Sequence, residues 1–115
     1  MDRSERRRSV RMRPIHDLPA TAELLGPGDA RTPVGIVDVS VGGIALARGD
    51  VLNGEPGTRV ALRLSLSQYG QHEVTVDFRW CVDAVIGAQY VDLTKPATAA
   101  VRAYVAELLE RGAPS

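Results

Sequence analysis

Apolar and polar residues alternate with a period of two along most of the chain, and the period lengthens only near its end. The cleanest run sets Val60, Leu62, Leu64 and Leu66 against Arg59, Ala61, Arg63 and Ser65. A second sets Val74, Val76, Phe78, Trp80 and Val82 against Glu73, Thr75, Asp77, Arg79 and Asp83. Successive side chains of a strand point to opposite faces, so each run reads as a strand with one buried and one wet face. By this alternation Trp80 shares the apolar face with Phe78, and Cys81 lies on the opposite one. Shorter runs at residues 20–25, 33–39, 43–47 and 86–93 bring the total to six strands. Turn residues separate them: Gly26-Pro27-Gly28, then Gly49-Asp50, Asn53-Gly54 and Pro56-Gly57, then a tight turn near Asp83-Ala84. At the end of the chain Val101, Tyr104, Val105, Leu108 and Leu109 fall at helical spacing on one stripe. Thr94 suits the cap of that helix, Pro96 its first turn and Gly112 the position just past its end. The pattern predicts an all-β fold with a C-terminal helix. Its form is a six-stranded antiparallel barrel, closed so that the sheet has no edges, with the helix plugging or covering one opening.

Residues 1–13 break the pattern. They are polar, show no apolar periodicity and stop at Pro14, so they read as a flexible Arg-rich arm ahead of a barrel domain at 14–112. The whole chain has 115 residues, 44% of them hydrophobic, which fits one domain with a core and argues against intrinsic disorder. No apolar run approaches the roughly 18–20 residues that cross a bilayer, and the charged start does not read as a signal peptide. Cys81 is the only cysteine, so the chain can form no internal disulfide and no multi-cysteine metal site. A small protein of a reducing cytoplasm is the expectation.

The formal net charge is zero, but it is unevenly spread. Arg3, Arg6, Arg7, Arg8, Arg11 and Arg13 against Asp2 and Glu5 give the first 13 residues a charge of +4, and the rest of the chain carries −4. Lys95 is the only lysine among 14 basic residues. Arginine is the better residue where planar, bidentate contacts to phosphate or guanine are made, although a GC-rich genome produces the same bias.

Enzymatic constellations are absent. His16 and His72 are 56 residues apart with no metal-ligand spacing around either. Ser40 lacks the G-x-S-x-G elbow, no phosphate loop is present, and nothing beside Cys81 suggests an activating base. The chain reads as a non-enzyme with no metal and no cofactor.

Two features remain. One is Arg6-Arg7-Arg8-Ser9-Val10-Arg11, and the other is the turn Asp38-Val39-Ser40-Val41-Gly42-Gly43 between two strand-like segments. Each has an ordinary reading, as a solvated cationic tail and as a turn capped by its own Asp and Ser. Together they complement each other. Arginines fork onto phosphate oxygens or onto the O6/N7 edge of guanine, Asp38 can accept from guanine N–H groups, Ser40 adds a small donor or acceptor, and Gly43 permits close approach. Such a set calls for a ligand with several negative charges and guanine bases.

With these motifs the chain resembles the PilZ domain family, bacterial receptors for cyclic di-GMP, whose paired signature is RxxxR followed by D/N-x-S-x-x-G. Arg7 and Arg11 supply the first motif, and Asp38, Ser40 and Gly43 the second, 27 residues after Arg11. Gly43-Ile44, the run at 60–66, Phe78-Arg79-Trp80 and the run at 87–93 extend the likeness over roughly residues 5–110. The resemblance implies a six-stranded barrel with the dinucleotide on its outer surface, clamped by the arm. Arg7 and Arg11 would hold guanine and phosphate, Asp38 and Ser40 would contact guanine and backbone, and Gly43 would give clearance. Arg6 and Arg8 extend the arm, and an arginine just ahead of RxxxR goes with a stacked ligand dimer. Trp80 sits where some members place an aromatic near the ligand, against the core position that alternation assigns it. The implied role is a stand-alone receptor that relays the signal to an unidentified downstream protein, with no specific nucleic acid and no membrane insertion. The competing expectations are a PilZ-fold adaptor that does not depend on cyclic di-GMP, and an arm that binds nucleic acid non-specifically.

Overall fold

In the computed structural model, which describes residues 10–49, 52 and 54–112, seven strands precede one helix. The strands are β1 (Thr21–Leu25), β2 (Arg31–Val34), β3 (Ile36–Val39), β4 (Gly43–Ala47), β5 (Arg59–Ser65), β6 (Gln71–Val82) and β7 (Val85–Val91). A 3-10 turn at Ser67–Tyr69 joins β5 to β6, and the helix α1 spans Lys95–Glu110. All neighbours are antiparallel, in the order β2-β1-β5-β6-β7-β4-β3.

The fold is therefore mostly β with a C-terminal helix, as the periodicities indicate, but the closed six-stranded barrel is corrected. The sheet has seven strands, and no ladder joins β2 to β3. The difference arises at Gly35, inside the run at 33–39 that reads as one strand. The chain leaves β2 at Val34 and enters β3 at Ile36, so the two outermost strands of the sheet are connected through a single residue. The sheet is thus curled until its edges are spliced by the chain itself. A Cβ at Gly35 would stand 3.2 Å from that of Ala47, whose N–H donates to the Gly35 carbonyl at 2.9 Å. Pro33 lies in edge strand β2, where a missing N–H is tolerated.

The curled sheet encloses Leu62 and Leu64 of β5, Val74, Val76 and Phe78 of β6, Ile44 and Leu46 of β4, and Ile86 of β7. Met12 joins them at 2% exposure, and its backbone exchanges two 2.9 Å hydrogen bonds with Val39. Met12 lies inside the stretch 1–13 that reads as a flexible arm, so the chain is pinned to the sheet before that stretch ends. A single methionine among arginines shows no period, and its partner is far away in sequence. Arg6, Arg7 and Arg8 lie outside the described residues.

One register shift reverses the pattern of β6. Phe78 pairs with Ala88 and Trp80 with Gly87, which leaves Arg79 as an extra residue without a partner on β7. Such a bulge moves every later side chain to the other face. Cys81 accordingly turns inward against the core, while Trp80 and Val82 turn outward, Trp80 with 37% exposure. The core position that alternation assigned to Trp80 is corrected by this bulge.

Helix α1 forms as its punctuation indicates. The Thr94 side chain accepts from the Ala97 N–H at 3.2 Å, Pro96 lies in the first turn, and Gly112 follows the last with φ +67°. Val101, Tyr104, Val105 and Leu108 are buried, together with Ala97 and Ala100. Leu109, the last member of the expected stripe, is 61% exposed. The buried face extends toward the N-terminus through the alanines instead. Tyr104 donates to the Leu18 carbonyl at 2.7 Å, and burial pushes its phenol up to about 12.

The other end of α1 is held by one carboxylate. Glu107 accepts from the Tyr69 hydroxyl, from Gln68 at 3.0 Å and from two N–H groups of Arg111 at 3.0 and 2.6 Å. Those hydrogen bonds, Tyr69's first, hold Glu107 below the ordinary carboxylate range and raise the Tyr69 phenol. A carboxylate depressed by folding contributes stability that is present above its unfolded pKa and lost as pH falls through the folded value. Melting temperature should therefore drop between about pH 5 and pH 3, and Glu107→Gln should make that drop shallower. Identical acid limbs in the two proteins would contradict the assignment.

Candidate ligand site on the outer face of the sheet

On the outside of the sheet four residues stand directly opposite one another across four strands. Trp80 of β6 faces Gly87 of β7, Gly87 faces Ala45 of β4, and Ala45 faces Asp38 of β3. Across this row the side chains are an indole, a hydrogen, a methyl and a carboxylate, so a trough separates Trp80 from Asp38. Its floor is specified by size. The Trp80 indole lies on Gly87 so closely that a Cβ there would fall within the ring. Ala45 is buried although its neighbours Ile44 and Leu46, not Ala45 itself, belong to the core cluster.

Arg11 spans the trough. Its Nη1 donates to Asp38 Oδ1 at 3.2 Å, and its Cζ stands 5.6 Å from the centre of the Trp80 ring. The pinned backbone of Met12, the next residue, fixes where this side chain starts. Arg11 remains 41% exposed and Asp38 15%, so the ion pair is partly screened and marks a geometry more than it adds stability. A guanidinium held over the indole at cation–π distance and donating to the carboxylate defines the spacing of those two groups.

The other turn residues divide their roles. Ser40 is buried; its Oγ accepts from the Gly43 N–H at 3.1 Å and donates to the Gly43 carbonyl at 3.2 Å. The hydroxyl thereby closes the turn that joins β3 to β4. Asp38 takes no backbone N–H among the described residues, and its partner is Arg11. A Cβ at Gly43 would collide with the Ala88 carbonyl oxygen of β7. Strand packing already demands that glycine, beside the ligand clearance implied by the resemblance.

Arg11, Ser40, Gly43 and Trp80 line one open pocket of ≈ 250 Å³, and Asp38 adjoins it through Arg11. Gly42 of the turn and Arg79, Gly87, Ala88 and Gln89 also line it; the last four entered the sequence reading only as part of the family likeness and not as site residues. A glycine inside a strand was the available signal for Gly87, since it often marks a close approach. Among the described residues no three His, Cys, Asp or Glu side chains group as metal ligands, and no helix is long and apolar enough to cross a membrane.

A family model of the PilZ domain matches residues 5–107, which takes in both arginine motif and turn. The chain belongs to the PilZ domain family. Solved structures, a PilZ domain among them, have the same fold. The PilZ domain of YcgR from Escherichia coli, solved with c-di-GMP, superposes with a TM-score of 0.67 at 14% identity, over 93% of this chain and 94% of that one. The K. pneumonia MrkH–c-di-GMP complex gives 0.71 at 14% identity over 89% of this chain, which spans about half of MrkH, 51%. An uncharacterized Legionella protein, Lpg0364, gives 0.64 at 14% identity over 89% of this chain and 96% of that one. No curated protein matches the sequence.

The contact between Trp80 and Gly87 is directly testable, because Trp80 is the only tryptophan. Gly87→Ala should displace the indole into water, shift its emission to the red and lower stability by about 1–3 kcal/mol. Unchanged emission at unchanged stability would show that the indole does not lie on Gly87.

Proposed function

We propose that this PilZ domain is a receptor for cyclic di-GMP, which it binds in the trough between Trp80 and Asp38 beneath the arginines of its N-terminal segment. The observation that carries this reading is the placement of Arg11 against both groups at once. Guanine offers the same two features as the Arg11 guanidinium, a flat face for the indole and adjacent N–H donors for the carboxylate. The base would take that seat, and Arg11 with Arg7 would fork onto phosphate oxygens or the O6/N7 edge. Ser40 positions the turn, and Gly43 keeps β4 against β7 so that the floor stays flat. YcgR and MrkH, which share the fold, were both solved with this dinucleotide.

Arg6 and Arg8 extend the cationic set to four guanidinium groups within six residues. Two intercalated ligands bring several phosphates together, and those repel one another unless donors are supplied. The proposal therefore includes a stacked dimer of cyclic di-GMP on each chain. The domain acts as a cytoplasmic receptor that binds without transforming its ligand, and the occupied face is what a downstream protein reads.

Isothermal titration tests these statements together. Wild type should bind two cyclic di-GMP per chain, and GMP or a random RNA should bind far more weakly. Arg7→Ala and Arg11→Ala should each weaken binding by roughly ten- to more than a hundredfold, the loss of a charge-assisted contact of about 1.5–3 kcal/mol. Arg6→Leu should lower the ratio toward one while binding persists. Wild-type affinity in both alanine variants would refute the clamp, and one ligand per wild-type chain would refute the dimer.

A further inference from the structure

We infer that Arg79, the extra residue of the β6 bulge, is a phosphate-binding residue of the site. The inference rests on the receptor reading above and adds a contact that the two sequence motifs do not contain. Three observations converge on it. Arg79 is exposed and lines the same pocket as Arg11 and Trp80. The bulge is what brings the indole to it: Arg79 follows buried Phe78 onto the outer face, and the skipped pairing turns Trp80 out beside it. Arg79 also forms no hydrogen bond or ion pair among the described residues, whereas the other described cation of the pocket is committed to Asp38.

The nearby carboxylate makes its hydrogen bonds elsewhere. Asp77, two residues earlier on β6, is gripped by two N–H groups of Arg59 at 2.7 and 3.0 Å, which hold its carboxyl below the ordinary range with a smaller contribution from the Arg79 charge. Arg79 therefore presents at the pocket a guanidinium fork whose N–H groups no described carboxylate occupies. Arg11 already spends one N–H on Asp38, whereas no N–H of Arg79 is engaged by a described residue. An anionic ligand whose base stacks on Trp80 meets Arg79 as the next residue along the strand. The chemistry that fits is a phosphodiester oxygen pair, which a guanidinium binds in two parallel hydrogen bonds.

Isothermal titration with cyclic di-GMP at one fixed ionic strength decides the matter, using wild type, Arg79→Ala, Arg79→Gln and Arg102→Ala. Arg102 is exposed on α1 and lines no part of the pocket, so its removal matches the loss of one charge. Arg79→Gln keeps a polar side chain in the bulge if the alanine variant folds poorly. The expected result is a loss of about ten- to a hundredfold in both Arg79 variants, with melting temperature held, and less than a twofold loss in Arg102→Ala. Equal losses in Arg79→Ala and Arg102→Ala would overturn the contact, because bulk charge alone would then account for them. Wild-type affinity in both Arg79 variants would overturn it while leaving the receptor reading intact. A wild-type protein that takes up no cyclic di-GMP would overturn both.

Discussion

The extra residue at Arg79 is the constraint on which the outer face depends. Without it, β6 would keep one parity from Val74 to Val82, and Trp80 would enter a core that already holds Phe78. With it, the strand changes face in mid-course. The indole moves to the outside, and Cys81 takes up the inward position opposite Ile86. An aromatic on an outer face needs somewhere to lie, and Gly87 provides it by having no side chain. The trough toward Asp38 follows from the small residues that continue the same row.

Much of the fold was legible because alternation and helical spacing are local signals. The strand Gly43–Ala47 and the capped helix were readable from their own residues. What was not legible depended on partners across the sheet. Nothing in Phe78-Arg79-Trp80 announces that Arg79 is skipped, since a bulge is defined by what the neighbouring strand pairs with. Gly35 hides in the same way: within one apolar run it looks like a continuation, and only the ladder order shows that it carries the chain between opposite edges. Met12 was unreadable because burial of a lone apolar residue is a tertiary fact.

The candidate site divides along similar lines. Arg11, Asp38, Ser40 and Gly43 were found by motif, and the structure brings Arg11 to Asp38 and Ser40 to Gly43. Their parts differ from one another: Ser40 and Gly43 shape the strand junction, while Asp38 and Arg11 face outward with polar groups available for exchange. Trp80 was placed on conflicting grounds, by family resemblance outside and by alternation inside, and the bulge resolves the conflict. Arg79 and Gly87 lay in stretches of family likeness that assigned them no site role; they belong to the pocket because of where β6 and β7 meet.

The central claim is that the seat between Trp80 and Asp38, now spanned by Arg11, is where a guanine base lands. Trp80 reports on that seat as the only tryptophan in the chain. Its emission and its accessibility to acrylamide can be followed while cyclic di-GMP is added and the heat of binding is recorded in parallel. The account predicts that emission is quenched and the indole shielded, with saturation at the same ligand concentration as the heat. Heat that saturates while Trp80 emission and accessibility stay unchanged would place the ligand elsewhere and contradict the account.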